Sequence, residues 1–205
     1  MSTWNLKLHR GLRAGSRLPG LIQEADAVRP IEYAVWITMG VAAACASALP
    51  DWKLGIPGHA IVRSVFPLAM GLALAPRHGA GCVMSGVGAL SAILLGSMQL
   101  ADTRSGMGAL TSLALTGPLL DLALRNAKPG WGLYLRIMSA GLATNLIALA
   151  VKAAEKQLMP GKGGRSFGAW LSQAAWTYPL FGLIAGTVSA FVWFRLRARR
   201  DEDAV

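Results

Sequence analysis

The chain has 205 residues, 54% of them apolar, and carries 20 Lys and Arg against 10 Asp and Glu for a formal net charge of +10. Its apolar residues gather into blocks of roughly 20, the length a helix needs to cross a hydrocarbon layer about 30 Å thick, which excludes a single soluble core. The surplus basic residues stand at the edges of those blocks and form no groove-reading face, so nucleic acid is excluded as a partner and membrane lipid is expected.

Residues 1–31 form a basic arm with Lys7, Arg10, Arg13, Arg17 and Arg29. It has no continuous apolar stretch of the kind a secretory signal peptide requires, so it is expected to stay in the cytoplasm. Trp4, Leu8 and Leu12 recur at every fourth position, which suits an interfacial helix. Gly11, Gly15 and Gly20 equally suit a floppy arm.

Residues 32–194 read as an all-α domain, a compact bundle of six transmembrane helices. The expected spans are Glu32 to Leu49, His59 to Pro76, Gly79 to Ser97, Met107 to Leu124, Trp131 to Val151 and Ala169 to Phe194. Residues 195–205 are a charged tail. With the N-terminus inside, twelve Lys and Arg fall on the cytoplasmic side and six outside. The positive-inside rule therefore puts both termini in the cytoplasm, and the polar segment "KAAEKQLMPGKGGRSFG" outside.

Small residues recur at intervals of four in three spans: Gly40, Ala44 and Ala48; Gly88, Ala92 and Gly96; Gly182, Gly186 and Ala190. In lipid, helices associate by close backbone packing, so such ridges mark helix contacts. Within the bundle they join neighbours, and on its outside they would dock another subunit. Pro67, Pro118 and Pro179 lie inside the second, fourth and sixth spans, where each removes a backbone donor and predicts a kink.

Three charges fall within spans, where ionisable groups mark functional candidates. Asp121 and Arg136 lie at similar depth on consecutive spans and are expected to form an ion pair, structural or else with a role in gating or coupling. Arg63 has no carboxylate at its depth. With His59 and Pro67 it shares one face of the second span, about one turn below the outer surface. Either its side chain snorkels to the interface, or it points with His59 into an outer cavity and offers its donors to an anionic or carbonyl-bearing ligand. Trp52 and Lys53 stand just above His59, and Trp170, Gln173, Trp176 and Tyr178 descend from the same side. Asn145, midway along the fifth span, is an interhelical hydrogen-bonder or a ligand contact.

No P-loop, zinc-protease, serine-hydrolase or kinase pattern is present. Cys45 and Cys82 form no CxxC, and no metal site or cofactor is expected. The lack of paired carboxylates within the spans argues against an enzyme.

The loop "LPDWKLGIPGH" ahead of the second span, the glycine-rich "PRHGAGCVMSGVGALSAILLG" opening the third and "LTGPLLDLAL" closing the fourth together resemble an S-component. This is the substrate-capture membrane subunit of energy-coupling factor transporters. The resemblance covers residues 32–194. It implies a small-molecule ligand such as a vitamin or other micronutrient, a transmembrane coupling subunit, cytoplasmic ATPase subunits and a location in the bacterial cytoplasmic membrane. It also implies a pocket in the outer half, for which Trp52, His59, Arg63, Asn145 and Trp176 are candidates. A docking ridge is implied on the first span, where Gly40, Ala44 and Ala48 or the register of Ala42 and Ala46 would serve. Metal-carrying relatives begin Met-His, whereas this chain begins Met-Ser-Thr, which argues against cobalt or nickel. The other reading is a non-catalytic structural or accessory subunit of a larger membrane complex.

Overall fold

The computed structural model describes residues 28–48, 56–98, 107–125, 127, 131–159 and 166–195. Among them are α1 (Pro30–Ala48), α2 (Ala60–Leu74), α3 (Ala80–Ser97), α4 (Met107–Leu124), α5 (Trp131–Leu158) and α6 (Phe167–Ala190), the last running into a π-helical turn, Phe191–Arg195. Five of the helices are long and apolar enough to cross a membrane. The exception is α2, whose 15 residues rise only about 22 Å.

Residue contacts give the direction of every helix. Trp36, early in α1, donates its indole N–H to the Ala75 carbonyl after α2 (3.0 Å), so α1 and α2 are antiparallel. Gly40 packs on Met84 and Val87, Gly81 on Gly117, Gly108 on Ala148 and Lys152, and Gly141 on Gly182 and Gly186. These pairs make α1 and α3 parallel, and α3–α4, α4–α5 and α5–α6 each antiparallel. The six helices therefore alternate in direction. Val28 and Phe194 pack into the same apolar cluster with Trp36, Ala75, Ala80, Leu124 and Leu133. This end is called the terminal end, and the opposite one, where α2 and α6 begin, the far end.

Neighbours run α1, α3, α4, α5, α6, and α2 touches all five. The short helix thus fills the concave side of an arc, and α1 and α6 make no extended contact with each other. Ile61, Val65, Leu68 and Leu72 are the buried ridge of α2. Arg63, Pro67, Met70 and Leu74 are half-buried and lie on the side of the helix away from it.

The close approaches are made by glycine. A methyl group at Gly117 would collide with the Gly81 carbonyl, and one at Gly81 with the Gly117 carbonyl. Here the two backbones touch, and the amide N–H of Gly117 donates to Ser85 Oγ (2.8 Å). Gly40 and Ala44 are buried within the chain, with Gly40 against α3, and Ala48 is half-buried. The ridge expected to dock a partner is therefore occupied internally at its first two positions, because close backbone packing is what holds α1 to α3.

Some element boundaries differ from expectation. The helix α5 runs through Leu158, about two turns past the expected end at Val151. Its extra residues Lys152-Ala-Ala-Glu-Lys-Gln-Leu are good helix formers, and Lys152 Nζ pairs with Glu155 (2.8 Å). All three prolines stay inside continuous helices.

Gly117→Ala is expected to destabilise the detergent-solubilised protein by about 1–3 kcal/mol through overpacking, measured as a fall in unfolding midpoint. Gly86→Ala is the control, since nothing lies within 4 Å of the added methyl. It should be neutral, or stabilising by up to about 1 kcal/mol.

Candidate functional site

The far end gathers most of the polar side chains singled out from the sequence. The turn Ile56–His59 precedes α2 and lies against the middle of α6, at Tyr178. Gly58 has φ of +87°, a left-handed conformation, and a side chain there would press on the backbone and ring of Tyr178. Only glycine meets both demands.

Asn145 anchors this turn. It is 1% exposed, and its Nδ2 donates to the Gly58 carbonyl (3.1 Å) and to the Tyr178 carbonyl (2.6 Å). One side chain on α5 thereby holds the turn and α6 together. His59, the next residue, places Nδ1 2.6 Å from the Ile56 carbonyl, and its ring meets Phe181 edge-on with centroids 6.4 Å apart.

Around Tyr178 lies a buried aromatic cluster with charged residues beside it. Trp170 meets Tyr178 edge-on at 6.5 Å, and both pack with Ala148 and Ala174. Lys156 Nζ lies 5.5 Å from the centre of the Trp170 ring, a cation–π contact. Lys152 is paired with Glu155. Asn145, Ala148, Lys152 and Glu155 follow at spacings of three and four along one face of α5, which puts the amide and the ion pair on the same side of the helix.

The structure thus brings His59 and Asn145 together and separates them from two other candidates. Trp176 is 81% exposed. It stands two residues, about 200° of helix, from the buried Tyr178, and it heads an outward stripe with Leu180, Ile184 and Val188. Arg63 is half-buried on the side of α2 away from its buried ridge. Trp52 and Lys53 lie outside the described residues.

The expected Asp121–Arg136 ion pair does not form. Asp121 is 5% exposed, and its two oxygens accept the N–H groups of Gly81 (3.0 Å) and Cys82 (2.9 Å). It caps the start of α3, where the cap residue Gly79 has no side chain to do so, and its charge faces the positive end of the helix dipole. Arg136 is exposed and donates to the Ala123 carbonyl (3.1 Å). Similar depth put the two residues together in the sequence reading, but they face different ways around the hairpin.

The chain's other buttress was not anticipated. Arg77 grips Glu32 through Nε (3.2 Å) and Nη2 (3.0 Å), while Glu32 also accepts the Arg29 N–H (2.9 Å). Glu32 in the first turn of α1 was the available signal. Cys45 and Cys82 are exposed free thiols. Among the described residues no cluster of His, Cys, Asp and Glu could hold a metal ion.

These features define a multi-helix protein of membrane type with a turn fastened by hydrogen bonds to the middle of α5 and α6. Comparison with protein-family models, curated proteins and solved structures finds no match, so the functional reading rests on the residues themselves.

Asp121→Ala and Asn145→Ala are each expected to cost about 1–3 kcal/mol in unfolding experiments, the penalty of leaving buried backbone groups unpaired. Arg136→Ala should change stability by no more than about 0.5 kcal/mol. A functional ion pair would instead make the Asp121 and Arg136 losses similar.

Proposed function

We propose that the chain is a substrate-binding membrane subunit of the energy-coupling factor type, with no enzymatic activity of its own. It crosses the bacterial cytoplasmic membrane six times with both termini inside. It captures a vitamin-like micronutrient at the far end, which then faces outward. A transmembrane coupling protein and cytoplasmic ATPases supply the energy. The observation that carries this reading is the turn Ile56–His59, fastened by Asn145 to α6 beside the buried aromatic pair Trp170 and Tyr178. Small-molecule sites favour such places, where a few fixed polar groups sit among aromatic walls. The alternating helix directions and the resemblance of the glycine-rich and G-x3-D segments support it further.

A second reading, a non-catalytic accessory subunit, draws on the outward stripe headed by Trp176. In that case purification in mild detergent brings down stoichiometric membrane partners that lack a nucleotide-binding loop. Partners bearing such a loop favour uptake.

Ligand capture is read directly by thermal unfolding of the purified chain across a micronutrient panel. A true ligand at 100 times its dissociation constant adds about 2.7 kcal/mol, seen as a clear rise in midpoint. A flat response across the panel, alongside co-purified partners without nucleotide loops, would replace the first reading by the second.

A further inference from the structure

The outer surface at the terminal end carries two guanidinium groups that neither functional reading uses. Arg136 follows the start of α5 at Trp131 by little more than a turn and is exposed on the outside of the bundle. Side chains lean toward the N-terminus of their own helix, so a long one here reaches for the terminal end. There its Nη1 donates to the Ala123 carbonyl in the last turn of α4 (3.1 Å). That carbonyl needs a donor, because the Ala127 amide, its ordinary helical partner, donates to Leu124 instead (3.1 Å). The bond crosses between the two helices and fixes where the guanidinium sits. Nη1 is committed by it, while Nε and Nη2 have no partner among the described residues.

The surroundings say what such a fork would meet. Arg125, just beyond Ala123, is also exposed, and among the described residues neither arginine enters an ion pair. Asp121, the one acid of α4, spends both oxygens on Gly81 and Cys82. Gly132, one turn from Arg136 toward the terminal end, is exposed, with nothing within 4 Å of where a side chain would begin, so a bulky group can come up to the guanidinium. On the two helices Leu122 and Leu135 are exposed apolar neighbours. We infer that the terminal edge of the α4–α5 pair holds the phosphate of an anionic membrane lipid, with Arg136 as its fixed receptor, Arg125 as a second cation and the acyl chains along the leucines. Two cations without a carboxylate beside them favour a net anionic headgroup over a zwitterionic one. The surplus charge of the basic arm attracts lipid diffusely, whereas this is one position made by a hydrogen bond between helices. It requires only that the helices lie in lipid, so it stands under either functional reading.

The delipidated full chain in a neutral detergent tests this when titrated with phosphatidylglycerol and with phosphatidylcholine of the same acyl chains. Bound lipid is counted by native mass spectrometry and the unfolding midpoint is followed alongside. Phosphatidylglycerol is expected to bind preferentially and to raise the midpoint. Arg136→Gln should keep the lipid-free midpoint and lose at least about tenfold in phosphatidylglycerol affinity, the worth of a hydrogen bond to a charged group. Arg136→Lys, which keeps the charge but not the fork, should fall between the two. Arg13→Gln removes the same charge from the basic arm and should leave the affinity nearly unchanged. Equal losses in Arg136→Gln and Arg13→Gln would mean a diffuse field and overturn the site, as would equal binding of the two lipids. Wild-type affinity in Arg136→Lys would contradict the fixed fork. Excess glycerol 3-phosphate should fail to displace the lipid; displacement would make the ligand a soluble phosphate and overturn the assignment to lipid. A stoichiometric protein lost from Arg136→Gln preparations in mild detergent, with no lipid preference in the wild type, would give the arginine to a protein contact and overturn it as well.

Discussion

The carboxylate of Asp121, buried between helices and accepting the first amides of α3, expresses the constraint on which this bundle is built. Away from water, every backbone donor and acceptor needs a partner within the chain, and helix ends are where partners run out. Gly79 supplies none for α3, so a residue 42 positions later does. The same solution recurs twice. Trp36 serves the Ala75 carbonyl at the close of α2, and Asn145 serves the Gly58 carbonyl at its approach. Each of these long-range bonds also locks two elements together, so satisfying the backbone and assembling the fold are one process.

Glycine makes that process geometrically possible. Asp121 reaches Gly81 and Cys82 because α3 and α4 touch at Gly81 and Gly117 without intervening side chains. In lipid there is little hydrophobic gain in bringing helices together, so close van der Waals contact and buried hydrogen bonds take over. The shortness of α2 then acquires a purpose. Enclosed by the arc of longer helices, it leaves room at the far end for a turn that is held by its neighbours and not by its own helix.

How much of this was legible in the sequence varies with the kind of signal. The number and order of the helices followed from apolar blocks and their punctuation, and the small-residue ridges located contacts at Gly40, Gly88, Gly182 and Gly186 but not the closest one, Gly81 against Gly117. The azimuth of individual side chains did not follow. Helices that face lipid are apolar all round, so hydrophobic periodicity no longer tells inside from outside. Trp176 was chosen as a pocket candidate and Tyr178 was not, although Trp176 is exposed and Tyr178 buried. Depth was readable for Asp121 and Arg136, direction was not, and the ion pair inferred from depth gave way to a helix cap. Asn145 was recognisable as polar within a span. Its partners, 87 and 33 residues away, could be named only once α5, α6 and the turn were seen side by side. The helical extension to Leu158 was hidden by charges that read as loop composition yet pair along one helix face.

The central claim is that all six helices, the short α2 included, traverse the membrane, so that the turn at residues 56–59 and the two termini lie on opposite sides. Site-directed labelling in intact cells tests it most directly. In a chain with Cys45 and Cys82 replaced by Ser, a single cysteine introduced as Pro57→Cys is probed with a membrane-impermeant maleimide, alongside single cysteines placed near each terminus. The account predicts that Pro57→Cys is labelled from outside while both terminal cysteines react only after the cells are opened. Labelling of the turn and the N-terminus from the same side would mean that α1 fails to cross, and reaction of the two termini from opposite sides would give an odd number of crossings; either result contradicts the account.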